Sequence, residues 1–201
     1  MNFNRLENFI KSLHKDVYKE PPIEYHKILS YQVIDKVREI CELPENSEVL
    51  DVGYGMGYSS EYFESLGYNV TATTLNDEEL ERNSSIKILK MDQSFMDLPE
   101  RNYDLVWARH VIEHSIMPFF TLNELKRLTK IGGIVYIEVP APDTFFHHER
   151  NVNHYSVLTD SSWRSLIKRS NLDLIKADII HLPLNNESDY YYSYICKRMM
   201  E

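Results

Sequence analysis

The chain has 201 residues, of which 43% are hydrophobic and 26% are charged, and its formal net charge is −9. This length and composition suit one globular domain with a hydrophobic core and argue against wholesale disorder. An acidic chain without a dense run of Lys and Arg is repelled by phosphate backbones, so we expect no nucleic-acid partner.

The localisation follows from features that the sequence lacks. The two cysteines, Cys41 and Cys196, form no CxxC pair and are too few for a disulfide framework. Residues 1–16 lack the uninterrupted apolar stretch of a secretory signal. No apolar run reaches the ~20 residues that span a bilayer. We therefore expect a cytoplasmic protein with no membrane partner, and the sequence leaves the oligomeric state open.

Residues 1–45 are predicted to form an N-terminal helical cap made of two helices. Apolar residues recur at helical spacing in both halves of this segment: Leu6, Phe9, Ile10 and Leu13, then Leu29, Val33, Val37 and Ile40. Pro21 and Pro22 separate the two helices, because proline is poorly tolerated inside a helix.

From residue 48 onward, short apolar runs alternate with helical patterns. The runs predict seven strands, at 48–52, 69–75, 86–91, 103–109, 134–139, 172–180 and 190–196. The alternation indicates an α/β fold, a Rossmann-like doubly wound seven-stranded sheet with helices on both faces. Only residues 181–189 connect the last two strands, so these should pair as an antiparallel terminal hairpin. We expect one domain, 1–201, with its α/β core at 46–201.

A glycine-rich turn, VLDVGYGMG at 49–57, follows the first predicted strand. Ligands of doubly wound sheets bind at the carboxyl ends of the strands, where this turn lies. Glycine permits positive φ and close approach of a ligand, and the next helix offers N–H groups to an anion. The order D-x-G-x-G-x-G differs from the dinucleotide fingerprint and suits a ligand with an amine and a carboxylate. The alternative is a tight turn kept small for packing.

The same turn resembles motif I of the class I S-adenosylmethionine-dependent methyltransferases. SFMDLPERNYDLVWARHVIEH at 94–114 and LKRLTKIGGIVYIEVP at 125–140 resemble this family's stretches through the fourth and fifth strands. The resemblance covers about residues 46–140, and VIEH at 111–114 resembles a turn of the small-molecule branch. It implies S-adenosylmethionine as cofactor and methyl transfer to an O or N atom of a small polar metabolite.

The resemblance also assigns a cofactor site. It implies that the Asp51 turn holds the methionine part, that Asp92 and Gln93 hold the adenine, and that the backbone at Arg109 approaches the amine. The complete set of cofactor-binding candidates is Asp51, Gly53, Tyr54, Gly55, Gly57, Thr74, Asp92, Gln93 and Arg109.

Thr74 departs from the family pattern, which usually has an acid there to hold the ribose hydroxyls. A hydroxyl lacks the charge and the bidentate geometry of a carboxylate. Asp77 and Glu78 are close enough in the chain to take its place. The departure motivates an alternative function, a catalytically inactive methyltransferase-like binding or scaffold protein.

Histidines in the loops after the fourth and fifth strands are the catalytic candidates. His110 and His114 follow the fourth strand, and a histidine near neutral pKa can act as general base. For His114 a purely structural role in the turn is an equally good interpretation.

The substrate-binding candidates are Tyr25, between the two N-terminal helices, and His147, Arg150 and His154 in the loop 143–156. Tyr25 would belong to a lid over the cofactor, and a core-packing role is its alternative. The loop also contains Asp143 and Glu149, but it lacks the close ligand spacing of a helical H-E-x-x-H site, so no metal is expected.

Overall fold

The computed structural model describes residues 3–14, 24–82, 85–184 and 187–200. Pro21 and Pro22, which were predicted to separate two helices, lie outside the described residues. Among the described residues, no helix has both the length and the apolarity that crossing a bilayer requires.

Six helices and seven strands form the described part of the chain. The helices are α1 (Phe3–Leu13), α2 (Glu24–Cys41), α3 (Tyr58–Ser65), α4 (Asp77–Leu80), α5 (Pro118–Leu128) and α6 (Asp160–Arg169). The strands are β1 (Glu48–Val52), β2 (Asn69–Thr74), β3 (Lys87–Lys90), β4 (Tyr103–Arg109), β5 (Thr129–Pro140), β6 (Leu172–Leu184) and β7 (Glu187–Arg198). Single 3₁₀ turns lie at Ile112–His114 and His148–Arg150.

The strands form one sheet in the order β3-β2-β1-β4-β5-β7-β6. Strands β1 to β5 pair in parallel, while β7 is antiparallel to both β5 and β6. The predicted seven-stranded sheet and its antiparallel terminal hairpin are confirmed. The strand order reverses between β1 and β4, so their carboxyl ends flank the crevice where such sheets bind ligands.

Helices cover both faces of the sheet, which is why its central strands are almost continuously apolar. On one face, Leu50 and Val106 pack in a core that also contains Leu125 of α5 and Ile167 of α6. On the other face, Trp107 packs with buried residues of α2 and α3. Within the predicted helical cap, α2 thus belongs to the core, whereas α1 has no buried residue.

Strand β5 is longer than predicted. It begins at Thr129 rather than 134 and therefore contains Gly132 and Gly133. Gly132 has a φ of +80°, and a Cβ at Gly133 would lie 3.0 Å from the carbonyl oxygen of Asp104. The glycines therefore allow an irregular stretch in which the β4–β5 register shifts.

The terminal hairpin is longer than predicted. Residues of the predicted connection pair across the two strands, with His181 opposite Tyr190 and Leu182 opposite Asp189. This extension carries Asp189 past the end of β5 toward the ligand crevice.

Candidate active site

A cavity of about 450 Å³ opens at the carboxyl ends of the parallel strands. Its volume is typical of small-molecule sites. Its wall combines the turn after β1, the ends of β2 and β4, part of α1 and the loop after β5. The predicted residues that line it are Asp51, Gly53, Tyr54, Gly55, Thr74, Asp92, Gln93, Arg109, His110, His114 and His154.

The glycine turn is shaped by close packing. Gly53 has a φ of +87°, and a Cβ there would lie 2.6 Å from Cγ2 of Val111. Gly57, the N-cap of α3, has a φ of +81°, and a Cβ there would lie 2.7 Å from the hydroxyl of Tyr54. Neither position accepts a side chain without rearrangement, and the turn exposes backbone to the cavity at Gly53 and Gly55.

Asp51 is buried at the carboxyl end of β1, on the cavity wall. Its Oδ2 accepts a hydrogen bond of 2.5 Å from Oγ of Ser60, a residue of α3. The hydrogen bond fixes a carboxylate beside the glycine turn, a position suited to an ammonium group.

A buried acid reaches the cavity beside Thr74, but it is neither of the two acids expected from the sequence. Glu79 in α4 is only 6% exposed and lines the cavity, whereas Asp77 and Glu78 are exposed. Oγ1 of Thr74 donates a hydrogen bond of 2.6 Å to Oε2 of Glu79. Asn76 caps this short helix, and its Nδ2 lies 3.3 Å from Oε1 of Glu79. The turn thus directs the third acid of the D-E-E run inward.

Asp92 and Gln93 lie on the same wall after β3, and contacts on both sides hold them. Oδ1 of Asp92 accepts a hydrogen bond from the backbone of Ser94 at 2.7 Å, and Oδ2 lies 2.8 Å from Nε2 of His14. The side-chain amide of Gln93 donates to the carbonyl oxygen of Val111 at 2.9 Å. His14 follows α1, so this pair positions α1 at the cavity mouth.

Arg109 and His110, both on the cavity wall, form a buried polar network with Glu138. Oε1 of Glu138 lies 2.8 Å from Nε of Arg109 and 2.9 Å from Nε2 of His110. The hydroxyl of Tyr136 donates to Oε2 of Glu138 at 2.5 Å. Although burial opposes ionisation, the Arg109 charge and these hydrogen bonds hold the pKa of Glu138 down, to about 2. The carboxylate is therefore ionised at neutral pH.

Acid should destabilise this protein from about pH 6.5 downward. Burial, helped by the charge of Arg109, lowers the pKa of His110 from 6.5 to about 3. At a pH between these two values the unfolded chain binds a proton at His110 and the folded chain does not. Each unit by which the pH falls in this range therefore lowers the free energy of unfolding by up to ~1.4 kcal/mol. Burial also lowers the pKa of His26 and of His154, each to about 4, so they act in the same direction.

Urea unfolding at pH 7.5, 6.5 and 5.5 measures this dependence. His110→Gln should weaken the dependence of the free energy of unfolding on pH. His181→Gln, at an exposed position, should leave this dependence unchanged. A free energy of unfolding that stays constant from pH 7.5 to 5.5 would contradict the expectation.

The loop after β5 is attached to the turn after β4. The backbone N–H of Ser156 donates to the carbonyl oxygen of Glu113 at 2.9 Å, and its Oγ donates to that of Ser115 at 2.6 Å. Nδ1 of His114 lies 2.9 Å from the carbonyl oxygen of Asn153. A carbonyl only accepts, so Nδ1 carries the proton and Nε2 keeps its lone pair. These contacts bring His154 beside His114, with ring centroids 4.8 Å apart.

Three substrate-binding candidates lie outside the cavity wall, and their neighbours take their places. Tyr25, His147 and Arg150 are exposed, whereas His26, His148 and Asn151 line the cavity. His147 adopts a left-handed backbone, with φ of +48°, and lies 3.1 Å from Glu149. Gly57 also lies outside the wall and acts as the helix cap. The roles predicted for these residues remain predictions.

Several residues of the wall were not predicted from the sequence. They include Glu79, His14 and Asp189. His148 lies 2.7 Å from Asp189, which also accepts a hydrogen bond from the hydroxyl of Tyr191 at 2.8 Å. The adjacent histidines at 147 and 148 signalled a polar loop, but nothing local showed which one faces inward.

Comparison with known proteins agrees with the fold. Residues 25–177 match the family model described as a methyltransferase domain. A 2-methyl-6-phytyl-1,4-hydroquinone methyltransferase of Synechocystis sp. is 29% identical over 139 residues, 62% of this chain and 43% of that protein. A tRNA (uracil(54)-C(5))-methyltransferase of Pyrococcus abyssi is 29% identical over 143 residues, 69% of this chain and 35% of that protein. The chain spans less than half the length of these two curated relatives.

A solved structure extends the comparison to the fold. The 1,6-didemethyltoxoflavin-N1-methyltransferase of Burkholderia thailandensis, with bound 1,6-didemethyltoxoflavin and S-adenosylhomocysteine, is 18% identical. It aligns with a TM-score of 0.64 over 92% of this chain and 93% of that chain, which shows a common fold. Because the family model matches more than half of the chain, the protein belongs to the methyltransferase domain family, within the class I S-adenosylmethionine-dependent methyltransferases.

Proposed function

We propose that this protein transfers a methyl group from S-adenosylmethionine to an O or N atom of a small polar molecule. One observation carries the proposal: a single cavity joins the Asp51 glycine turn to a wall of histidine and asparagine side chains. The first part has the chemistry of a cofactor site, and the second has that of a polar acceptor site.

The residues on the cofactor side fit the chemical groups of S-adenosylmethionine. Asp51 and the turn at Gly53 and Gly55 would hold the amine and carboxylate of its methionine part. Glu79, oriented by Thr74, would accept hydrogen bonds from the ribose hydroxyls, and Asp92 one from the adenine amino group. The bound cofactor supplies an electrophilic methyl group on a sulfonium, and the protein's part is to align the acceptor with it.

The acceptor side presents His114, Asn153 and Tyr155 to the cavity. Burial lowers the pKa of His114, so its imidazole is neutral at pH 7. Its Nε2 lone pair can then accept the proton of a hydroxyl or ammonium acceptor. A cavity of about 450 Å³ that also holds the cofactor leaves room for a small acceptor, which favours a metabolite over a nucleic acid.

An inactive scaffold is the second candidate function, because Thr74 replaces the usual ribose-binding acid. The buried Glu79 argues against this alternative, since it supplies a carboxylate at the same edge of the cavity. Asp51 and Asp92 are also retained.

Two measurements test the proposed function. Calorimetry should show that S-adenosylmethionine and S-adenosylhomocysteine bind the protein. A screen of phenols, amines, sugars and transfer RNA, read by release of S-adenosylhomocysteine, should then find acceptors among the small molecules. Absence of cofactor binding would favour the scaffold, and activity on RNA alone would contradict the small-molecule assignment.

Glu79→Gln should weaken binding of S-adenosylmethionine about 10-fold, because a charge-assisted hydrogen bond contributes about 1.5 kcal/mol or more. Glu78→Gln is a matched control, since Glu78 is the neighbouring acid on the exposed side of the same short helix. Calorimetric titration of both variants measures the difference. Equal affinities of the two variants would show that Glu79 does not contact the cofactor.

A further inference from the structure

Three potential metal ligands meet on the acceptor side of the cavity. The carboxylate of Glu113 and one ring nitrogen each of His114 and His154 all lie within 4.8 Å of one another. Glu113 is buried, and the two histidines are partly buried. All three line the cavity, so an ion bound there would keep a side open to a substrate.

The three residues come from two segments that the fold holds together. Glu113 and His114 lie in the 3₁₀ turn after β4, and His154 lies in the loop after β5. The Ser156 hydrogen bonds and the contact between His114 and Asn153 fasten the loop to the turn. The ligand positions are therefore set by backbone contacts on both sides of the cluster.

The surroundings of the His114 imidazole match those of a metal ligand in proteins. A ligating histidine almost always donates its second ring N–H to a carboxylate, a backbone carbonyl or water. Nδ1 of His114 donates to the carbonyl oxygen of Asn153 in this way. In His154, Nε2 lies 3.3 Å from Nδ2 of Asn151. Contacts with the same loop thus hold both rings.

We propose that Glu113, His114 and His154 form a binding site for a divalent transition-metal ion. Two imidazole nitrogens and one carboxylate suit Zn²⁺, Fe²⁺ or Co²⁺, whereas Mg²⁺ and Ca²⁺ prefer all-oxygen sites. Three protein ligands leave positions for a further ligand. Neighbouring ligand atoms around tetrahedral Zn²⁺ lie roughly 3.4 Å apart, so binding draws the three side chains inward by about 1 Å.

This inference rests on the proposed function for its role in catalysis. An ion at the site lies in the acceptor half of the cavity, where it would bind a hydroxyl oxygen of the acceptor. Coordination lowers the pKa of that hydroxyl, whose proton then passes to solvent. In the metal-bound protein the Nε2 lone pair of His114 holds the ion, so the ion replaces this imidazole in activating the acceptor.

The test uses the full chain, freed of any histidine tag, with Zn²⁺ and Co²⁺ as probes. Equilibrium dialysis with elemental analysis should find one Zn²⁺ per chain, and bound Co²⁺ should give a visible absorption band. Glu113→Gln and His154→Gln should each weaken Zn²⁺ binding at least about 10-fold. His147→Gln is the matched control, because this exposed histidine of the same loop lies outside the cavity wall.

The proposal is overturned if the wild-type protein takes up no Zn²⁺, or if Glu113→Gln binds it as tightly as the wild type. Circular dichroism and thermal unfolding identify a variant that has lost its fold. If a variant does not fold, the presence or absence of the Co²⁺ absorption band in the wild-type protein decides whether the metal site exists. Calorimetry with S-adenosylmethionine separates failure of the metal-site proposal from failure of the proposed function. Cofactor binding without Zn²⁺ binding removes only the metal site, and Zn²⁺ binding without cofactor binding removes the methyl-transfer assignment.

Discussion

Asp51→Ala should reduce the affinity for S-adenosylmethionine by about 10- to 100-fold, the loss expected when a charge-assisted hydrogen bond is removed. The carboxylate lies at the carboxyl end of β1 and is held there by Ser60 on α3. In the proposed complex it faces the amine of the cofactor, whose positive charge needs a buried counterion. Isothermal titration calorimetry with S-adenosylmethionine and S-adenosylhomocysteine measures the change.

Two control variants separate this effect from general damage. Asp51→Asn keeps the volume and an acceptor for the Ser60 hydroxyl but loses the charge, so it should also bind weakly while unfolding at nearly the wild-type temperature. Asp97→Ala removes an exposed acid outside the cavity and should bind the cofactor normally. Binding by Asp51→Ala within twofold of the wild type would rule out the assigned contact.

Glu138→Ala should lower the free energy of unfolding by about 3–5 kcal/mol, because it removes one partner of a buried ion pair and leaves the other charge buried. Glu138 is fully buried, and the side chain of Arg109 is only 8% exposed. The same change removes the acceptor for the hydroxyl of Tyr136. Urea unfolding followed by circular dichroism gives the difference directly, and the unfolding temperature should fall by roughly 10 °C.

Glu124→Ala provides the comparison at the surface. Glu124 pairs with Arg127 three residues along α5, and both side chains reach solvent. Removing such a pair should cost less than about 1 kcal/mol. If Glu138→Ala and Glu124→Ala lower the free energy of unfolding equally, the network around Glu138 does not stabilise the fold in the way that its burial suggests.

The strands were predictable because their signals are local. Strands covered on both faces read as short apolar runs, and the predicted range of β4, 103–109, is the one observed. Glycine was ambiguous, since a positive φ serves both a helix end and an irregular strand. At Gly132 and Gly133 only the pairing of β5 with β4 distinguishes the two, so the start of β5 was predicted too late.

The cofactor side of the site was also largely predictable, because Asp51 and its glycines follow one another in a contiguous turn. Glu79 was not, since the expected acids at 77 and 78 precede it on the same helical turn. Which acid of three faces the cavity depends on how Asn76 caps α4. Similarly, the left-handed backbone at His147 places that residue outside and His148 inside.

The sequence by itself determined the order of strands and helices, the glycine turn and the acid at the end of β1, because each depends on residues that are neighbours in the chain. Only the tertiary structure decided what meets across the cavity. Glu113 and His154 are far apart in the chain, and they come together because β4 and β5 are adjacent and their loops are bonded to each other. The buried position of Glu138 beneath Arg109 likewise arises from strand pairing, since these residues face each other in register across β4 and β5.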